Sequence, residues 1–460
     1  MPPTDLLDQS ATAQIAAVRA GDISAPELMA ATLDRIAERN GRVNAIVALR
    51  ERDVLMAEAT AQTGKPLAGL PIAIKDLAET KGITTTYGSP LFKTHRPAAD
   101  NAMVAALKSA GAVVIGKTNT PEFGLGSHSY NPVYGVTRNP YDPSCSAGGS
   151  SGGAGAALAT RMVAFADGSD MMGSLRNPAA WNNVFGFRPS YGLVANSGPA
   201  ESFFNQLSTN GPMARHMGDL ELLLGLQSAH DPAHPHSSGP YQSTEGTGRL
   251  RIGWLGDWGG AYPMESGVLE LCESGLKVLE TLGHEVVTLE PPFSAAALWD
   301  SWITQRSWAV AEKLRPIYKD TSQRDFLKPA AIWEIERGLS MSAHEIFKAS
   351  EIRSDWFRRT ANLQVDLLAL PSAQMFAFPA EWDWPKEIAG SPMDTYHRWM
   401  EVVVPASLTG LPALSVPVGF GPGGTPMGMQ LIGHRGNDAT VLALGRAYEA
   451  ATDWVSRQPR

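Results

Sequence analysis

Two glycine–serine clusters separated by an apolar run constrain this chain most. The first, residues 148–153, reads GGSSGG and contains Ser150, and the second ends in Ser174. Glycine lets the backbone approach a ligand closely and adopt positive φ, so the clusters predict two loops shaped around one small site. Between them, residues 154–160 are helix-prone and residues 162–166 are typical of a short buried strand. Ser150 and Ser174 can therefore meet in space.

The same stretch could instead be a flexible Gly/Ser linker. Such linkers are poor in apolar residues throughout their length. Here the first cluster leads directly into AALATRMVAF at residues 156–165, a segment that must be buried. The pattern therefore favours a loop held by a packed core.

Two well-known motifs match parts of the chain, but their surroundings argue against both. Residues 111–118 fit the phosphate-binding pattern G-x-x-x-x-G-K-[ST]. Their central residues, AVVI, favour a buried strand, and Pro121 follows where a helix should begin. Residues 148–152 fit the G-x-S-x-G nucleophile elbow, which requires a hydrophobic strand before it. Residues 139–147, NPYDPSCSA, are polar and broken by proline, so we expect neither motif to function.

Three motifs taken together resemble the signature of a known family. GGSSGG is followed by D-x-x-G-S-L-R-x-P-A at residues 170–179 and preceded by GLPIAIKD at residues 69–76, which resembles G-x-P-x-x-x-K-D. Their order and spacing are similar to those of the amidase signature family. These serine hydrolases include bacterial amidases, fatty-acid amide hydrolases and the glutaminase subunit of tRNA-dependent amidotransferases. Further stretches that resemble the family are residues 116–119, 137–140, 410–417 and 426–433, and only residues 230–400 look unlike it.

The resemblance implies a catalytic triad. Ser174 is the expected nucleophile, Lys75 the ultimate base, and Ser150 the relay between them, with a cis peptide between Gly149 and Ser150. Lys75 closes an apolar run, where a lysine is otherwise a surface residue whose amine reaches water. Beside the serine motifs, burial would lower the pKa of the Lys75 amine, and only the neutral amine can accept a proton.

The resemblance also implies an oxyanion hole and supports for the nucleophile. The expected donors are the backbone N–H groups of Met171, Met172, Gly173 and Ser174. The family usually has glycine where this chain has Met172, for which positive φ would be costly, and we expect the methionine to form an apolar wall beside the scissile carbonyl. The residues expected to support the nucleophile loop are Asp170, Arg176 and Ser151. For the charged pair Asp170 and Arg176, the alternative role is a surface salt bridge.

Composition narrows the partners to a small-molecule substrate. The chain has 460 residues, a formal net charge of −8 and no long basic run, which argues against a nucleic-acid or anionic-membrane partner. No apolar run approaches the roughly 18 residues of a membrane span, and no signal peptide is recognisable, so we expect a cytoplasmic protein. Cys145 and Cys272 form no disulfide framework or zinc-like spacing, so we expect no metal and no cofactor. We expect a monomer or a homodimer.

The predicted fold class is α/β, with a single large domain whose mixed β-sheet is flanked by α-helices. Residues 1–65 are predicted to be helical, with a capping box from Ser24 to Glu27, and residues 66–228 carry the catalytic motifs. Residues 229–248 form a polar loop, residues 250–289 a second βαβ-like passage, and residues 290–400 a mostly helical cover. Further buried strands are predicted at residues 71–74, 112–115, 366–370, 413–418 and 428–432.

Tryptophans provide the main indication of substrate. Eight of the 12 lie between residues 299 and 399, where most are expected to pack in the core and some to line an apolar pocket. This favours small neutral aryl or alkyl amides, urethanes and esters, cleaved through an acyl-enzyme on Ser174. The second hypothesis is a glutaminase-type subunit of a tRNA-dependent amidotransferase, in which a partner could contact the tRNA. A catalytically inactive binding protein would conflict with all three catalytic positions being filled.

Overall fold

Helices and strands alternate along most of the chain in the computed structural model, which describes residues 3–194 and 201–459. The α-helices are α1 Pro3–Leu6, α2 Ala11–Ala20, α3 Ala25–Val43, α4 Arg52–Gln62, α5 Ala102–Ser109, α6 Gly152–Ala159, α7 Arg176–Trp181, α8 Met217–Gln227, α9 Val268–Thr281, α10 Ala295–Lys319, α11 Thr321–Arg324, α12 Pro329–Ser340, α13 Ala343–Ala361, α14 Val404–Thr409 and α15 Asp438–Ala450. The strands are β1 Ile46–Val47, β2 Pro71–Lys75, β3 Val113–Thr118, β4 Tyr130–Asn131, β5 Gly135–Val136, β6 Phe165–Asp170, β7 Phe185–Arg188, β8 Thr209–Ala214, β9 Arg251–Trp254, β10 Glu285–Thr288, β11 Leu367–Pro371, β12 Glu387–Ile388, β13 Ser391–Pro392, β14 Ala413–Phe420 and β15 Pro426–Gly433.

A mixed sheet forms the centre of the molecule. Its eight strands have the order β10-β9-β11-β15-β14-β7-β8-β6, and β9 is parallel to both β10 and β11 while the other neighbours are antiparallel. A three-stranded sheet, β1-β3-β2, adjoins the β6 edge. There the N–H of Lys75 donates to the Asp167 carboxylate at 2.9 Å. The sheet and its flanking helices confirm the predicted fold class.

Two short helices next to the sheet are completely enclosed. Every residue of α6 and of α7 is buried. Helix α6 is rich in glycine because the neighbouring backbone comes very close: a Cβ on Gly153 would lie 2.3 Å from the Asn119 nitrogen. These helices follow the two glycine–serine clusters directly, so the core holds both loops from behind.

Several local predictions are confirmed. The capping box at Ser24 is present, with the side chain of Ser24 accepting from the Glu27 N–H and the Glu27 carboxylate accepting from the Ser24 N–H, and α3 begins directly after it. Strand β2 ends at Lys75, and the parallel pairing of β9 with β10 bears out the second βαβ-like passage. Residues 111–118 contain the buried strand β3 rather than a phosphate loop. The Lys117 ammonium instead donates to the Ala78 carbonyl (2.6 Å) and to Thr80 Oγ1 (2.9 Å).

Two predicted elements differ from the structure in their bounds. The strand expected at residues 162–166 begins only at Phe165, where pairing with Ala214 of β8 starts, and continues through polar residues to Asp170. These polar residues are tolerated because the two aspartates accept hydrogen bonds inside the fold. Among residues 290–400, long helices end at Ala361, and residues 372–397 contain only turns and the short pair β12–β13. Prolines at 379, 385 and 392 interrupt any helix there.

Candidate active site

Lys75 projects from the end of β2 into a cluster of serine hydroxyls. Its side chain is buried, and its Nζ donates to Ser150 Oγ at 2.8 Å, to Ser151 Oγ at 2.8 Å and to Ser169 Oγ at 3.0 Å. The backbone N–H of Lys75 is fixed by the hydrogen bond to Asp167, which lies on the neighbouring strand β6. The alternative of a surface lysine is therefore wrong.

Burial determines the acidity of this amine. Removal of the ammonium from water lowers the pKa of Lys75 to about 7, against the opposing attraction of the Asp167 and Asp170 carboxylates. A substantial fraction of Lys75 is thus neutral near neutral pH. A neutral amine 2.8 Å from a hydroxyl can accept its proton.

The loop that carries Ser150 is fixed by hydrogen bonds on both sides of the serine. The Gly149–Ser150 peptide bond is cis. The Gly149 N–H donates to Asn177 Oδ1 at 3.3 Å, and its carbonyl accepts from Ser127 Oγ at 2.5 Å. The N–H of Ser151 donates to the carbonyl of Ser174 at 3.3 Å. The two glycine–serine clusters therefore lie against each other, as predicted.

The loop that carries Ser174 turns around the carboxylate of Asp170. Asp170 accepts from the N–H of Gly173 at 2.8 Å and from the N–H of Leu175 at 3.2 Å. Gly173 has φ of +74°, and a Cβ at this position would lie 2.9 Å from the Val403 side chain. Glycine is needed here for both reasons. Ser174 itself keeps about 7% of its surface exposed, so a small molecule has limited access to it.

Asp170 also joins two buried arginines. Arg176 donates to it twice, from Nε and Nη2, at 3.0 Å each, and Arg188 Nη1 lies 3.3 Å from Asp170 Oδ1. Burial by itself would raise the pKa of the Asp170 carboxyl, but the two guanidinium charges outweigh it and hold the pKa well below its ordinary value. All three side chains are inaccessible, so the alternative of a surface salt bridge is wrong.

The predicted oxyanion donors need one correction. The Gly173 N–H is already donated to Asp170. Within residues 3–194 and 201–459, the N–H groups of Met171, Met172 and Ser174 donate to no acceptor, which leaves them available for a substrate oxygen. Met172 does not adopt positive φ, so the expected strain is absent. Its side chain is buried in the main core, and the partly buried Met171 is the more accessible of the two.

Sequence reasoning missed several residues of this site. Arg188, Asp167 and Ser169 each touch the catalytic cluster or its supports. Arg188 ends the apolar strand β7 in the same way that Lys75 ends β2, so a cation at the end of a short apolar run could have identified it. Asp167 and Ser169 lie within DGSD, a polar run that continues a buried strand. Such a run is unusual enough to indicate internal partners.

A small cavity lies beside the loop that carries Ser150. Ser127, which donates to the carbonyl of Gly149, forms part of its wall. Trp384 and Trp399 line the cavity, which confirms that some tryptophans of residues 299–399 face a pocket. Of the others, Trp333 and Trp382 are exposed, and the buried ones include Trp299, Trp302 and Trp356. The remaining polar lining of the cavity includes Tyr130, Tyr396, His128, Lys328 and Asp383.

Among the helices of the described residues, none combines the length and the apolar composition that a membrane span requires. No three His, Cys, Asp or Glu side chains in residues 3–194 and 201–459 are grouped so that they could hold a metal ion.

Comparison with known proteins places the chain among hydrolases and their relatives. The family model described as Amidase matches residues 27–442. The A subunit of the glutamyl-tRNA(Gln) amidotransferase from Chloroflexus aurantiacus is 34% identical over 99% of both chains. A bacterial aryl acylamidase of the amidase signature family superimposes with a TM-score of 0.90 at 27% identity, over 97% of each chain. The corresponding amidotransferase protein of Thermotoga maritima superimposes with a TM-score of 0.74 at 29% identity, over 92% of this chain and 90% of its own.

Proposed function

The chain belongs to the amidase signature family, enzymes that hydrolyse amide C–N bonds, and we propose that it cleaves small neutral aryl or alkyl amides, urethanes and esters through an acyl-enzyme on Ser174. The observation that carries this proposal is the contact of 2.8 Å between the buried Lys75 amine and Ser150 Oγ. A base of pKa about 7 that contacts Ser150, in a loop packed against the loop of Ser174, suits acyl transfer at neutral pH.

Acylation begins with attack of Ser174 Oγ on the substrate carbonyl carbon. The Ser174 proton moves to Ser150 Oγ as the Ser150 proton moves to the Lys75 amine, which becomes an ammonium. The carbonyl π electrons move to the oxygen, and the free N–H groups of Met171, Met172 and Ser174 are placed to stabilise that negative charge. Each such donor is typically worth about 3 kcal/mol in the transition state.

Collapse of the tetrahedral intermediate breaks the C–N bond. The same groups then work in reverse: Lys75 returns a proton through Ser150 to the leaving nitrogen, which departs as a neutral amine. Water attacks the acyl-Ser174 ester by the same route and regenerates the enzyme. A urethane cleaved this way would yield an amine, an alcohol and carbon dioxide.

The aromatic lining of the cavity supports uncharged, flat substrates. Tyr130, Trp384, Tyr396 and Trp399 line the cavity beside the loop of Ser150. The high TM-score with an aryl acylamidase supports the same class, because that protein superimposes over nearly its whole length. The helices that cover the site, α10 and α12, would then select substrates by shape.

A panel of substrates tests this proposal on the purified chain. We expect nitroanilide amides and aryl carbamates with neutral acyl groups to exceed glutamine and asparagine by at least about tenfold in kcat/KM, which corresponds to about 1.4 kcal/mol. Aryl esters belong in the same panel, with the Ser174→Ala variant as the blank. Glutamine as the best substrate, and only after partner subunits are added, would replace this proposal with the second one.

The second candidate is a glutaminase subunit, and two observations favour it. The first is the 34% identity to the A subunit of an amidotransferase over 99% of the chain. The second is Lys328 in the cavity: its ammonium donates to the neutral carbonyl of Leu125 at 2.5 Å and faces the rings of Tyr130 and Tyr396 at about 6 Å. A cation held in this way could bind the α-carboxylate of glutamine, with Asp383 near its α-ammonium.

A further inference from the structure

The proposed oxyanion hole places an unusual demand on its loop. The N–H groups of Met171 and Met172 must stay free for the substrate, so hydrogen bonds from these groups cannot hold the backbone there. The first N–H in this loop with a partner is that of Gly173, which donates to Asp170. Side chains must therefore fix the loop between Asp170 and Gly173.

The two methionine side chains supply that attachment in different ways. Met172 is buried in the main core and is held by apolar packing. Met171 is only partly buried, and its Sδ accepts a hydrogen bond from Arg306 Nη1 at 3.1 Å. Arg306 lies on α10, so this bond links the helical cover to the oxyanion loop across 135 positions of sequence.

The guanidinium of Arg306 is itself rigidly held. Its Nε donates to Glu334 Oε1 at 2.7 Å, and its Nη2 donates to Tyr396 Oη at 2.8 Å. Tyr396 closes the ring by donating to Glu334 Oε2 at 2.9 Å. The ring of Trp302 lies 5.3 Å from the guanidinium carbon. Arginine presents its donors in a planar fork, so fixing two nitrogens fixes the direction of the third, which points at Met171.

We propose that Arg306 is a positioning residue for the oxyanion hole: through the Met171 thioether it holds the free N–H groups of Met171 and Met172 in place. This inference rests on the proposed function, because it assumes that those groups bind the oxyanion. Through Arg306, the helical cover would directly influence the rate of acyl transfer. A small displacement of catalytic donors can lower a rate by as much as about a hundredfold.

Conservative variants separate this role from a purely structural one. Met171→Leu removes the sulfur acceptor at nearly constant volume, and Arg306→Lys keeps the charge beside Glu334 but loses the planar fork. The double variant Met171→Leu/Arg306→Lys tests whether the two act through one contact. Matched controls are Met56→Leu, a partly buried methionine on α4, and Arg315→Lys, a partly exposed arginine on the same helix as Arg306.

Two readouts are needed. The first is kcat and KM for the best amide or carbamate of the panel; the second is the rate at which a fluorophosphonate labels Ser174, since its P=O must occupy the same hole. We expect each single variant to lower kcat and the labelling rate about tenfold with KM within about twofold, and the double variant to fall no further. Both controls should keep wild-type values.

Three outcomes would overturn the inference. The first is that Met171→Leu keeps the wild-type kcat and labelling rate. The second is that the effects of the single variants multiply in the double variant. The third is that the variants lose melting temperature while kcat per labelled site is unchanged. The labelling rate keeps the test independent of the substrate proposal. A chain that labels at Ser174 but cleaves no amide, ester or carbamate would contradict the proposed function, while slower labelling in Met171→Leu would still support the role of Arg306.

Discussion

Lys75 Nζ lies 2.8 Å from Ser150 Oγ, deep inside the fold and between the two glycine–serine loops. Lys75 is the last residue of strand β2, and its backbone N–H donates to the Asp167 carboxylate on β6. The contact with Ser150 therefore depends on how the two sheets pack together and not on the loop of Ser150 alone. It makes the protonation state of one lysine the controlling variable of the proposed chemistry.

The two serines should differ in their importance. We expect Ser174→Ala to abolish hydrolysis without loss of stability, because it removes the nucleophile and opens no large cavity. Ser150→Ala should keep a small residual rate, since a water can partly replace the relay. Steady-state rates and melting temperatures of both variants test this. The reverse ranking, with a serine-directed probe attached to Ser150, would support the nucleophile elbow.

The rate should rise with pH as Lys75 loses its proton. Because burial lowers the pKa of Lys75 to about 7, kcat/KM should increase through an apparent pKa near 7 and level off above it. Lys75→Met should lose nearly all activity and the associated pH step. A wild-type profile that is flat between pH 6 and about 8.5 would contradict the assignment of Lys75 as the base.

The same shift affects stability. In the unfolded chain Lys75 returns to its ordinary pKa of 10.5, so between about pH 7 and 10.5 the unfolded state binds more protons than the folded state. The contribution of Lys75 to the free energy of unfolding should therefore rise with pH across this window and be lost as pH falls toward 7. Urea unfolding at several pH values measures the free energy of unfolding of the wild type and of Lys75→Met. The wild-type value minus the variant value should rise with pH.

Sequence was informative about the three proposed catalytic residues because they lie in short local motifs. Ser150, Ser174 and Lys75 each stand in a pattern of glycine or apolar neighbours that fixes the loop or strand around them. Arg306 could not be found in this way, since its contact with Met171 spans 135 positions and depends on how α10 packs.

Replacement of the buried carboxylate should destabilise the whole site. Asp170→Asn removes the buried carboxylate that pairs with Arg176 and Arg188. An amide oxygen cannot accept from all their donors together with the N–H groups of Gly173 and Leu175. We expect a loss of about 3 to 5 kcal/mol in the free energy of unfolding and a large fall in kcat.

Urea unfolding measures this loss, and Asp355→Asn provides the control. Asp355 forms an exposed ion pair with Arg358, for which a change of less than about 1 kcal/mol is expected. Equal effects in the two variants would show that the Asp170 network contributes no more than a surface pair.

Lys328 should discriminate between the two candidate substrates. Its ammonium lines the cavity near the catalytic loop and is held by the neutral carbonyl of Leu125, and burial lowers its pKa to about 8. For a neutral aryl amide the charge is of little use, so Lys328→Met should leave kcat/KM within about threefold of wild type or raise it slightly, because the methionine adds apolar surface. For glutamine the variant would lose a charge-assisted hydrogen bond to the α-carboxylate, and kcat/KM should fall by at least about tenfold. The matched control is Lys386→Met, an exposed lysine whose ammonium lies 3.2 Å from the centre of the Trp384 ring, and it should change neither. A strong loss with aryl amides would mean that Lys328 contacts the acyl or leaving group of those substrates too, and the cavity would then have to be described as a site for hydrogen-bond acceptors and not as an apolar pocket.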